Sequence, residues 1–128
     1  MLYLLDTSVC VSLIRGYSLL RDLPPSETCK VSAISVAELE VGIHRSLRQA
    51  EQRIAVKGLL ALFEILSWDA DSVVDYGELR VDLEKREVVI GPLDMLIAAH
   101  ARSLGATLIT ANVGEFKRVK GLKVLAWR

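Results

Sequence analysis

Four acidic side chains, Asp6, Glu38, Asp94 and Glu115, lie where one element of this 128-residue chain gives way to the next. Taken singly, each has an ordinary explanation. Asp6 closes the apolar run Tyr3-Leu4-Leu5 and suits the start of a following helix. Glu38 ends Ser35-Val36-Ala37-Glu38, the spacing of a capping box. Asp94 stands two residues after Pro92, in a first turn where the helix dipole favours an acid. Glu115 follows an apolar run and the polar loop Ala111-Asn112-Val113-Gly114. Taken together they point to different chemistry. Carboxylates gathered in one place repel one another and raise their own pKa values. Such a cluster persists when a divalent cation neutralises it, and oxygen ligands without His or Cys suit hard ions, Mg²⁺ or Mn²⁺.

Competing chemistries lack their parts. His44 and His100 are the only histidines, too few for a His-rich zinc site. Asp94 and His100 are six positions apart, about 240° around a helix at ~100° per residue, and face different ways. The chain has no GxxxxGK[ST] phosphate loop, no GxGxxG and no GxSxG elbow. Ser8 stands where a DxD-type phosphoaspartyl transferase needs its second Asp. Cys10 and Cys29 form no CxxC pair, which predicts buried thiols and a reducing, cytoplasmic setting.

The acids matter only if the fold brings them together, and the apolar pattern says that it does. Short runs at 3–6, 30–34, 63–68, 107–110 and 123–125 read as strands. Between them, Thr7 and Ser8 offer caps for a helix from about residue 8 to Arg15, closed by Gly16. Leu23-Pro24-Pro25-Ser26 is a loop, Ser35 opens a second helix, and residues 47–62 form a long helical region with Ile54, Leu59 and Leu62 among its apolar positions. An acidic helix over 70–87 has Val73, Val74, Leu79 and Leu83 as its inner stripe, and another runs from Gly91-Pro92 to Leu104-Gly105. The alternation predicts an α/β fold, a mainly parallel central sheet flanked by helices, in one domain over residues 1–128. Ligands of such sheets sit at the carboxyl ends of the strands, where the four acids fall.

Composition narrows the function classes. Hydrophobic residues make up 52% and charged residues 25%, which excludes a disordered or low-complexity chain. Sixteen basic and sixteen acidic side chains cancel, so overall charge does not drive nucleic-acid binding. No apolar run approaches the ~20 residues of a membrane span. Met1-Leu2-Tyr3-Leu4-Leu5-Asp6 lacks a basic start and reads as a buried strand, not a secretory leader. A mean hydropathy of +0.35 exceeds what one small core consumes and predicts a subunit interface.

Tyr3-Leu4-Leu5-Asp6-Thr7-Ser8, Ser35-Val36-Ala37-Glu38-Leu39, and Gly91-Pro92-Leu93-Asp94 through Ile97-Ala98-Ala99-His100-Ala101 resemble the PIN-domain ribonucleases, and within them the VapC-type toxins of prokaryotic toxin–antitoxin pairs. Leu108-Ile109-Thr110-Ala111-Asn112 through Glu115-Phe116, then Arg118-Val119 and Gly121-Leu122, extend the resemblance along the whole chain. It implies a PIN-like three-layer fold and a Mg²⁺- or Mn²⁺-dependent endoribonuclease that hydrolyses phosphodiester bonds of a structured RNA. Asp6, Glu38 and Asp94 match the family's metal-binding acids. Many PIN domains carry Asp where this chain has Asn112; the resemblance gives the fourth acidic role to Glu115, with Ser8 and Asn112 as polar neighbours. It also implies a cognate antitoxin protein and a homodimer.

Charge is unevenly spread. Arg45, Arg48, Arg53 and Lys57 stand against Glu51, and residues 117–128 carry Lys117, Arg118, Lys120, Lys123 and Arg128 with no acid. Two readings are open: solvated faces, or a basic rim that grips an RNA backbone. Aromatic residues are only 5%, which argues against extensive base stacking and for recognition of RNA shape. Two other functions use the same residues: a PIN-like RNA- or protein-binding module without catalysis, and a metal-dependent DNA nuclease or phosphatase.

Overall fold

The computed structural model describes residues 1–127, so Arg128 of the basic tail lies outside the described residues. Five strands, β1 (Tyr3–Leu5), β2 (Cys29–Ser32), β3 (Glu64–Leu66), β4 (Thr107–Thr110) and β5 (Lys123–Ala126), form one sheet in the order β3-β2-β1-β4-β5. Every pairing is parallel. Six α-helices connect and cover them: α1 (Thr7–Ile14), α2 (Ala33–Arg45), α3 (Gln49–Leu60), α4 (Val73–Lys85), α5 (Pro92–Leu104) and the single turn α6 (Val113–Phe116).

Adjacent strand residues point to opposite faces, and this alternation builds two cores. Leu4 and Leu108 face Leu79, Leu83, Ile97 and Phe116 on one side. Leu5, Val31 and Ile109 face Val9, Leu39, Ile43 and Leu59 on the other. A three-layer α/β/α molecule results, with β1 at its centre and both faces covered, as a parallel sheet requires. The switch in strand order places β1 between β2 and β4, so their carboxyl ends share one edge.

Several sequence expectations need correction. The first helix is capped by Asp6, whose Oδ1 accepts from the Thr7 amide at 2.8 Å, and not by Thr7 or Ser8. The second begins at Ala33, because Ser32 ends β2 and its Oγ accepts from the Ile34 amide at 3.1 Å. Glu38 is thus the sixth residue of α2, and the capping box does not form. The region 47–62 contracts to α3, with Ile54 and Leu62 exposed and Val56 and Leu59 packed inward. On α4, Leu79 and Leu83 are buried but Val73 and Val74 are exposed. Val74 lies about 140° from Leu79 at ~100° per residue, and Val73 opens the helix as it leaves a 3-10 turn over Ala70–Ser72. The third strand is only three residues long, and Glu115 belongs to α6 instead of a loop.

Candidate active site

Asp6 is the anchor. The chain leaves β1 with the Asp6 amide still donating to the Ile109 carbonyl, then turns directly into α1. Asp6 is 4% exposed, and both its carboxylate oxygens accept hydrogen bonds. Oδ2 accepts from Ser8 Oγ at 2.8 Å and from Thr110 Oγ1 at 2.7 Å, while Oδ1 caps the helix. The two hydroxyls are themselves held: Ser8 Oγ accepts from the Ala111 amide, and Thr110 Oγ1 from the Asn112 amide. Neutral donors thus fix the Asp6 carboxyl at the sheet edge.

The other acids arrive from three more elements. Glu38, on α2, accepts from Thr7 Oγ1 at 2.7 Å, which ties it to the first turn of α1. Asp94 is the third residue of α5, behind Pro92 at the first helical position, whose fixed φ suits a helix start. Glu115, on α6, accepts from the Gly91 amide at 2.9 Å through Oε1 and from Asn112 Nδ2 through Oε2. A Cβ built on Gly91 would lie 3.7 Å from Asp94 Oδ2 and 3.9 Å from Glu115 Oε1, so both carboxylates flank one backbone position.

Electrostatics bind the four into one unit. Burial pushes the Asp94 carboxyl up to about 7, helped by a hydrogen bond with Glu115 and by the negative charges of Glu115, Asp6 and Glu38. Among the described residues the ion pairs include none of these four acids. Carboxylates gathered without a counter-ion are costly, and that cost adds to burial in raising the Asp94 pKa. The oxygen-only donor set fits a hard divalent cation. No three acidic, histidine or cysteine side chains among the described residues already close into a metal cage. A cation arriving there would displace the proton that burial and the neighbouring negative charges favour on Asp94.

Residues 3–122 match the PIN domain. The chain belongs to the PIN-domain family. Ribonuclease VapC2 of Rickettsia felis is 37% identical over 132 residues, covering 99% of this chain and 98% of that relative. The tRNA(fMet)-specific endonuclease VapC of Salmonella typhimurium is 31% identical, covering 98% and 97%. Among solved structures, VapBC2 from Rickettsia felis bound to a promoter DNA fragment superposes with a TM-score of 0.94 at 35% identity, covering 100% of both chains. DNA-bound VapBC from Salmonella typhimurium gives 0.93 at 31%, again over 100% of both chains.

In this PIN domain Asp94 lies within reach of the charges of the other three acids named from sequence, and Ser8 and Asn112 donate to Asp6 and Glu115. Sequence reasoning missed Thr110, and gave Thr7 only a capping role. Thr110 is a polar residue ending an otherwise apolar buried strand, and that position was the available signal. A groove of about 740 Å³ opens beside Glu38, walled by Val11, Leu39 and Leu47 and reaching Arg15 and Arg48. Much of the basic stretch 44–57 is already engaged: Arg53 pairs with Glu40 at 2.6 Å and Arg48 with Glu51 at 3.6 Å. No helix among the described residues is long and apolar enough to cross a membrane.

Proposed function

We propose that this PIN domain is a divalent-cation-dependent endoribonuclease, the toxin of a toxin–antitoxin pair, acting on a structured RNA in the cytoplasm. The observation that carries the reading is four carboxylates at one sheet edge with no basic partner. Kinship with VapC ribonucleases supports RNA as the substrate class.

Asp6, Glu38, Asp94 and Glu115 would hold Mg²⁺ or Mn²⁺, which when bound supplies Lewis acidity toward water and phosphate oxygens. The chain's own part is placement. Thr7, Ser8 and Thr110 orient the acids of the α1 side, while the Gly91 amide and Asn112 orient Glu115. Uncompensated, the same acids repel an RNA phosphate, so substrate binding and cleavage both depend on the cation.

An antitoxin is the proposed regulator, since structural neighbours are toxin–antitoxin complexes. An Arg or Lys of its tail would pair with these carboxylates, which have no basic partner among the described residues. The groove beside Glu38, which mixes Val11, Ile14, Leu39 and Leu47 with Arg15, Arg48 and Glu51, would receive the neighbouring stretch of that tail.

The test is cleavage of total RNA with Mg²⁺ or Mn²⁺. Asp6→Asn is expected to lose at least about a hundredfold in rate while melting like the wild type, because a displaced ligand misplaces the reacting groups. Near-normal cleavage by Asp6→Asn overturns the assignment. Cleavage of single-stranded DNA at an equal rate would favour the broader nuclease function, and binding of RNA without cleavage the non-catalytic module.

A further inference from the structure

The acids of this site come from separate helices, and something must set how those helices lie against each other. Apolar packing holds a helix to a sheet but has little directional preference. Between α2, which carries Glu38, and α5, which carries Asp94, one buried polar contact supplies direction. His100 Nδ1 and Ser32 Oγ lie 2.9 Å apart, with His100 2% exposed and Ser32 0% exposed. Ser32 ends β2 and caps α2, its Oγ also accepting from the Ile34 amide. One oxygen therefore joins the strand edge, the first turn of α2 and the third turn of α5. Burial pushes the His100 pKa down against the opposing pull of Asp69, so the ring is neutral and exchanges a single hydrogen bond with Ser32. Glu38 lies six residues from Ser32 and Asp94 six residues from His100, each about 9 Å along a helix at ~1.5 Å per residue. Over so short a lever a helix is stiff.

We propose that His100 is a positioning residue: its hydrogen bond to Ser32 sets the register of α5 against α2 and hence the spacing of Asp94 from Glu38 that a divalent cation needs. It rests on the cation-dependent function proposed above. Neither residue touches the cation or the RNA; both act through the helices they join.

The experiment is Mn²⁺ titration calorimetry on the metal-free chain, with melting curves and RNA kinetics alongside. His100→Leu keeps bulk but no hydrogen bond, whereas His100→Asn keeps an amide at the Nδ1 position and His100→Gln moves it to the Nε2 position. His100→Leu and His100→Gln are expected to weaken Mn²⁺ binding about tenfold and to lower kcat in step, with the KM for RNA within about twofold. His100→Asn is expected to stay within about threefold of wild type. Ser32→Ala should weaken Mn²⁺ binding at least as much as His100→Leu, since it also removes the cap on the Ile34 amide, and the double variant should be no worse than Ser32→Ala alone, because the His100 contact is already lost there. If His100→Leu does not fold, the Asn and Gln variants decide, and equal Mn²⁺ affinities for those two overturn the proposal. Unchanged Mn²⁺ affinity in a folded His100→Leu overturns it alone. A wild-type chain that binds no Mn²⁺ overturns the cation-dependent function and this inference with it.

Discussion

Asp94 carries the clearest electrostatic signature in the molecule. Its carboxyl is raised from 3.8 to about 7, by burial first and then by the neighbouring acids Glu115, Asp6 and Glu38. Between those values the folded chain holds a proton that the unfolded chain has released, so stability falls as pH rises from about 4 to about 7 and is level above. The metal-free protein should therefore melt lower at about pH 8 than at about pH 5, and Asp94→Asn should flatten that slope. An unchanged slope in Asp94→Asn would show that the proton resides elsewhere. Glu115 is tested differently. Glu115→Gln keeps an acceptor for the Gly91 amide but removes a charge, so cleavage should drop at least about tenfold and the Mn²⁺ needed for half-activity should rise. A silent Glu115→Gln, beside an inactive Asn112→Ala, would move the fourth role to Asn112. The acids themselves were legible in the sequence because each sits at an element boundary. Of their donors, Ser8 and Asn112 were legible too, as polar neighbours, but Thr7, Thr110 and Gly91 were not, since these have ordinary local roles and acquire this one only when the elements meet.

At the scale of elements, most strands and helices followed from apolar runs and turn residues, while boundaries failed where two caps competed. Ser32 and Ser35 are both plausible starts for α2. Ser32 wins because β2 ends there and hands its last side chain to the Ile34 amide, while Ser35 is carried inward with Leu39 and Ile43. The Ser35 hydroxyl is consequently buried without a hydrogen-bond partner, on the same helix as Glu38. Ser35→Ala removes that unmet group and improves helix propensity, so it should stabilise the chain by about 1 kcal/mol. Denaturant unfolding measures this, and a loss of stability would mean that the hydroxyl has a partner in solution. The stripe of α4 failed for another reason: valine is as apolar as leucine, and only the helical angle separates Val74 from Leu79. Arg102 shows the opposite, a polar residue with structural weight. It reaches from α5 to Asp75 at 2.6 Å, to Glu78 at 3.2 Å and to the Lys120 carbonyl at 3.1 Å, clamping α4 and the segment before β5 onto the helix that carries Asp94.

For the whole molecule, what stays uncovered matters as much as the core. Two apolar strips remain on the surface: Leu47, Ile54 and Leu62 around α3, and Val73, Val74 and Val81 along α4. Exposed apolar side chains grouped in this way suit a protein interface, and they fit the mean hydropathy of +0.35. A symmetric dimer would bury one such strip against its own copy and leave the other for a partner protein. The stretch after Gly42 is the expected dimer face, with Ile54, 74% exposed, near its centre. Light scattering at about tens of micromolar should give twice the 14.1 kDa chain mass, and Ile54→Lys should shift it toward one chain because a buried unpaired charge opposes closure. A dimer that survives Ile54→Lys but dissolves with Val74→Lys would place the interface on α4. A wild-type monomer at that concentration would reject self-association, and both apolar strips would then fall to the partner chain.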